Sequence, residues 1–155
     1  MNMEKQTLRS FPVIGITVRT SNAEGAAAKD IPELWARFWA TDVAAQIPGK
    51  VGNDIYSIYT AYEGDYTQPY TTLIGYRVAH LDQVPEGFTG MMIDEGPYMK
   101  CTAKGNLSQG VVFDAWLEIW NAEIPRAYIA DFEVYGDRAQ NPEDAEVDIY
   151  LSVKA

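Results

Sequence analysis

Apolar residues along this chain recur in two rhythms, every second position in several stretches and every third or fourth in two others, and these rhythms lay out the elements. Phe11-Pro12-Val13-Ile14-Gly15-Ile16-Thr17-Val18, within Leu8 to Thr20, is rich in β-branched residues and predicts a first strand. Pro12 falls near its start, where a missing ladder donor is tolerated. After a small-residue loop, Ser21 to Ala28, Asp30 reads as a helix cap with Pro32 and Glu33 in the first turn. Ile31, Leu34, Trp35, Phe38 and Trp39 then form one apolar stripe, and Pro48-Gly49 marks a break beyond the helix. Ile55 to Tyr62 and Thr71 to Ala79 predict a strand pair joined through Glu63-Gly64-Asp65, a turn-forming cluster.

The polar segment Leu81 to Gly87 lies close to the midpoint of the chain, and beyond it the order repeats. Phe88 to Asp94 and Tyr98 to Lys104 predict strands around Glu95-Gly96-Pro97, and Asn106-Leu107-Ser108-Gln109 resembles a capping box opening a second helix. The stripe of that helix is Phe113, Trp116, Leu117 and Trp120, and Pro125 stops it. Tyr128 to Tyr135 and a closing strand in which Val147, Ile149, Leu151 and Val153 alternate with polar residues complete the chain. Counting the strand next to each helix, each half runs strand, helix, strand, strand, with Trp35 and Trp39 echoed by Trp116 and Trp120. The expected fold is α+β: duplicated strand-helix-strand-strand units, about 8–80 and 88–153, forming one mostly antiparallel sheet with two helices in a single domain, 1–155. A ligand groove is expected at the junction of the halves.

The strand Tyr128 to Tyr135 carries the candidate chemistry. Alternation puts Tyr128, Ala130, Phe132 and Val134 on one face and Ile129, Asp131, Glu133 and Tyr135 on the other. A carboxylate buried on that second face needs a partner or a proton. Ile58 to Tyr62 occupies the same slot in the first half as Asp131 to Tyr135 in the second, which would place Tyr56, Ile58, Thr60 and Tyr62 on the face of Glu133. Tyr76 and Tyr150 are further candidates, and Asp131 is either a second acid or a water-facing residue.

Composition narrows the choice of partner. At 155 residues, 47% hydrophobic and 22% charged, the chain can bury a full core. Twenty-two Asp and Glu against 12 Lys and Arg leave a formal charge of -10, which repels phosphate backbones, so no direct nucleic-acid binding is expected. With one cysteine and one histidine, no metal-site or disulfide spacing can be built. Cys101 reads as a small buried hydrophobe, and His80 as a solvent-facing strand end. No signal sequence or membrane span is evident, no membrane partner is expected, and the expected location is cytoplasmic.

With these elements in place, the chain resembles the GyrI-like small-molecule binding domain, the effector-binding module of AraC-type and MerR-type transcription regulators that also occurs alone. The resemblance is carried, in order, by Val13-Ile14-Gly15, Ile58 to Asp65, Val84-Pro85-Glu86-Gly87-Phe88, Asp131 to Tyr135, and Val147 to Val153. It implies a groove for aromatic, often cationic, compounds, faced by a buried glutamate at the position of Glu133. No cofactor is expected. About ten residues precede the first predicted strand, too few for a helix-turn-helix, so an effect on transcription would require a regulator partner.

The expected function is that of a stand-alone binding protein for hydrophobic aromatic, cationic compounds, with Glu133, Tyr56, Tyr62, Tyr135, Trp39, Trp116 and Tyr98 as ligand-binding residues and none assigned to catalysis. One alternative is hydrolysis of strained-ring genotoxins, with Glu133 as general base, as in some GyrI-like proteins. A second is an acidic protein-interaction or enzyme-inhibitor module. Exposed sheet edges and unspent aromatics leave room for a homodimer.

Overall fold

The computed structural model describes residues 2–155. The strands are β1 (Met3–Leu8), β2 (Phe11–Thr20), β3 (Lys50–Thr60), β4 (Tyr70–Val78), β5 (Thr89–Ile93), β6 (Gly96–Gly105), β7 (Arg126–Tyr135) and β8 (Ala145–Val153). The helices are α1 (Ala26–Ala40), a single turn α2 (Val43–Gln46) and α3 (Val111–Asn121). All eight strands join in one sheet ordered β1-β6-β8-β7-β3-β4-β2-β5. Every pairing is antiparallel, which makes the fold α+β with two main helices.

The sheet curls back on itself. β1 and β2 are separated in the chain only by Arg9 and Ser10, yet lie near opposite ends of the strand order. Six strand spacings would span roughly 29 Å in a flat sheet, against about 11 Å for three Cα steps. The registers show how this is resolved: Met3 pairs with Cys101, Leu8 with Gly96, Phe11 with Ile93 and Gly15 with Thr89. Segments 3–15 and 89–101 therefore form one continuous ladder, bent at Arg9-Ser10 and Asp94-Glu95, that ties the two ends of the sheet together. Inside the curl sit Phe11, Val13, Ile58, Leu73, Ile93, Tyr98 and Phe132. The Gly15–Gly75 pair lets β2 and β4 approach closely, since a Cβ on Gly75 would stand 2.0 Å from the Ile14 carbonyl oxygen.

The outer face is covered by the helices. α1 packs Leu34 and Phe38 on Ile14, Ile16, Ile74 and Tyr76, and α3 packs Ala115, Trp116 and Ile119 on Cys101, Ile149 and Leu151. Because β3 and β7 are neighbours at the centre of the order, the two helices stand on either side of that pair with a gap between them.

Four sequence expectations need correction. Residues before Phe11 form β1; its polar sequence gives no strand rhythm of its own, and the free edge of β6 supplies the pairing. α1 starts at Ala26, so Asp30 is inside it and instead accepts a 2.8 Å hydrogen bond from Thr20 Oγ1, while Pro32 also lies within the helix. Asn106 caps a separate turn at Leu107–Gln109 by accepting from the Ser108 amide, and α3 opens only after Gly110. Finally, Ser57 lies opposite Glu133 and Tyr59 opposite Asp131, so the odd positions of β3 face the helices and Tyr56 and Thr60 do not.

Candidate ligand-binding site

β7 delivers Glu133 and Tyr135 to the helix face and Ala130, Phe132 and Val134 to the inner core. Its rule of two fails only at the start, where Tyr128 takes a positive φ of 55° and the pairing with β8 slips between Arg126 and Asp131. Glu133 is 2% exposed. Tyr135 donates to its Oε1 at 2.6 Å, while the Tyr59 hydroxyl at 2.8 Å and Trp116 Nε1 at 2.7 Å donate to Oε2. All three donors are neutral, and among the described residues Glu133 makes no ion pair. Burial pushes its pKa above the usual carboxylate value, and the hydrogen bonds from Tyr135, Trp116 and Tyr59 offset part of that rise. Burial, with Glu133 beside them, raises the Tyr59 and Tyr135 phenols well above their ordinary value, so both remain donors at physiological pH.

Over this carboxylate lies a cavity of about 490 Å³. α1 contributes Ile31, Pro32 and Trp35 to its wall, α3 contributes Val112, Phe113, Trp116 and Trp120, and the sheet side adds Tyr59, Tyr62, Tyr70 and Tyr135. Glu133 is the only Asp, Glu, Lys, Arg or His among the lining residues. The rings brace one another edge to face: Tyr59 on Trp116 at 5.5 Å and Trp35 on Tyr135 at 5.2 Å between centroids. At the rim Tyr66 lies flat on Trp120, 5.2 Å away and 6° from parallel.

Asp131, on the same face as Glu133, is fully buried rather than turned to water. Its Oδ2 accepts from Arg126 Nη2 at 2.6 Å and from the Tyr62 hydroxyl at 2.5 Å, and its Oδ1 accepts from the Ser152 amide at 2.9 Å. The Arg126 guanidinium faces the Tyr128 ring at 4.4 Å and the Trp116 ring at 5.8 Å. Its Nε and Nη1 are buried without a hydrogen-bond partner.

Of the residues singled out in the sequence, the structure brings Glu133, Tyr62, Tyr135 and Trp116 together around the cavity. Tyr62 reaches it although Tyr56 does not, because Ala61 takes a φ of 52° and turns the chain after β3 ends. Tyr56 packs instead on Phe11 and Phe132 inside the curl. Tyr98 is in the same inner core, its hydroxyl donating to the Asp94 carbonyl at 2.7 Å. Trp39 is 63% exposed on α1, one turn beyond Trp35, which takes the place at the wall. Tyr76 packs on Phe38 beneath α1 and Tyr150 stacks on Phe132 in the inner core. Tyr59, Trp35 and Tyr70 were not among the sequence candidates; the Ser57–Glu133 register locates Tyr59, and the helical stripe holds the signal for Trp35.

The family model of Cass2, described as an integron-associated effector binding protein, matches residues 6–153. The chain belongs to the Cass2 family. This Cass2-family chain is 29% identical over 144 residues to YobU, a candidate transcriptional regulator of Bacillus subtilis (strain 168), the match covering 90% of each protein. Its fold is similar to that of the integron cassette protein from the mobile metagenome of Vibrio cholerae, with TM-score 0.76, 27% identity, and 98% and 95% of the two chains covered. It is also similar to that of SAV2435, solved bound to tetraphenylphosphonium, with TM-score 0.80 at 19% identity, covering 100% of this chain and 95% of the other.

Proposed function

We propose that this Cass2-family protein binds hydrophobic aromatic cations in the cavity between α1 and α3, with Glu133 as the counter-charge. The carrying observation is that Glu133 is buried, held by neutral donors alone and set in a wall of rings. A buried carboxylate in that setting is stabilised most by an arriving positive charge, and ring faces attract the same cation by their quadrupoles, at ~0.5–2 kcal/mol per ring. The tetraphenylphosphonium bound by SAV2435 is a molecule of that description, on a similar fold. The cavity is large enough for a drug-sized ligand.

Binding, rather than hydrolysis, is the better use of this carboxylate. Of about four lone-pair sites on a carboxylate, three already accept hydrogen bonds, which leaves a single site to receive and orient an attacking water. A cation without N–H donors needs only the charge and the rings. Calorimetric titration of the protein with tetraphenylphosphonium tests the reading: micromolar binding that is lost in Glu133→Gln supports it, and unchanged affinity in that variant overturns it.

A further inference from the structure

Two carboxylates point to the helix face of β7, two residues apart, yet the cavity sees the charge of only one. Asp131 is screened from the cavity by Tyr62, which lines the wall and donates to it, and its charge is matched by Arg126 at 2.6 Å. Stability alone gives little reason for such a pair. Burying an Arg and an Asp is expensive, and here two guanidinium nitrogens go without acceptors, so an apolar pair of similar volume would serve the core as well or better. Trp116 links the two carboxylates, giving its Nε1–H to Glu133 while its ring lies 5.8 Å from the Arg126 guanidinium.

We propose that Arg126 is a specificity-determining residue: by cancelling Asp131 it fixes the charge of the site at minus one and makes the cavity select monocations over dications. This rests on the reading of the cavity as a cation site. Residues two apart on a strand are separated by roughly 7 Å. At an effective dielectric near 20, releasing a charge at that distance changes the affinity for a second positive charge on the order of tenfold to fiftyfold.

Two ligands that share a biaryl frame separate charge from shape: N-methyl-phenylpyridinium carries one positive charge and N,N′-dimethyl-bipyridinium carries two. Both are titrated by calorimetry at pH 8 into wild type, Arg126→Met, Asp131→Asn and the double variant, each first checked for folding by near-ultraviolet circular dichroism. In Arg126→Met, Asp131 keeps the donors Tyr62 and Ser152. The dication-to-monocation affinity ratio is expected to rise at least tenfold in that variant and to return to the wild-type ratio in the double variant. Asp131→Asn, which leaves Arg126 uncancelled, is expected to lose at least tenfold in monocation affinity relative to the double variant, and carries the test if Arg126→Met does not fold. A ratio in Arg126→Met within twofold of wild type, or equal monocation affinity in Asp131→Asn and the double variant, overturns the role of Arg126. Failure of wild type to bind either monocation, tetraphenylphosphonium or N-methyl-phenylpyridinium, overturns the cation reading itself and this proposal with it.

Discussion

Replacing Glu133 by Gln separates the two demands placed on this residue, because the amide can keep the hydrogen bonds while losing the charge. Its oxygen can take the Oε2 position, accepting from Tyr59 and Trp116, and its NH₂ the Oε1 position, donating to a Tyr135 hydroxyl that rotates to accept. Both the oxygen and the nitrogen of the amide keep a partner, so the cavity keeps its shape. What changes is electrostatic. A ligand cation ~5 Å from the carboxylate, at an effective dielectric near 20, gains about 3 kcal/mol from it, and allowing for solvent at the open side about 2–3 kcal/mol is expected to be lost. That corresponds to a roughly 30- to 150-fold weaker Kd for tetraphenylphosphonium in calorimetry.

Stability without ligand should move the other way. The folded-state pKa of Glu133 is raised, so the group's contribution is fully present below its unfolded pKa and is lost as pH rises through the folded value. Glu133→Gln, which carries no titrating group, should therefore melt above wild type at pH 8, and the advantage should shrink as pH falls toward the ordinary carboxylate range. A variant that binds tetraphenylphosphonium as wild type does, or that melts below wild type at pH 8, would refute the reasoning.

Other outcomes follow from the same geometry. Since a bound cation favours the ionised carboxylate, affinity should fall as pH drops through the raised pKa of Glu133, and binding there should release protons, read as a dependence of calorimetric enthalpy on buffer ionisation. Trp35→Ala should weaken tetraphenylphosphonium binding about tenfold by removing a wall ring, whereas Tyr56→Phe, altered on the other side of the sheet, should leave the affinity within twofold. Gly75→Ala should destabilise the fold by roughly 3 kcal/mol or more in denaturant titration, because its Cβ meets backbone rather than a movable side chain.

The elements and their order were legible in the sequence wherever burial imposes a rhythm. Ile14 and Ile16 against Val13, or Phe132 against Glu133, are sorted between a covered outer face and an enclosed inner one, so alternation reports them faithfully. β1 was invisible because its own sequence is mostly polar and none of its residues is fully buried, and only the edge of β6 makes it a strand. Within the site, Glu133, Tyr135 and Trp116 could be found from one strand and one helix. Tyr59 could not, because its face depends on which residue of β3 lies opposite Glu133, and a slip of one position exchanges Tyr59 for Tyr56. Arg126 was hidden by the local break in β7, and nothing in the spacing of Arg126 and Asp131 announces that a positive φ at Tyr128 brings them together.

The bent ladder of segments 3–15 and 89–101 also bears on how this protein is made. Met3 leaves the ribosome 98 residues ahead of its partner Cys101, which emerges only after β2, α1, β3 and β4 have been synthesised. β2 likewise has to wait for β5 on its outer side. β1 thus completes the half that carries α3 and Trp116, and the curl can close only once β5 and β6 have emerged. A bulky insertion just ahead of β1 would act at a distance in sequence, on the α3 wall of the cavity rather than on the α1 wall nearest to it along the chain.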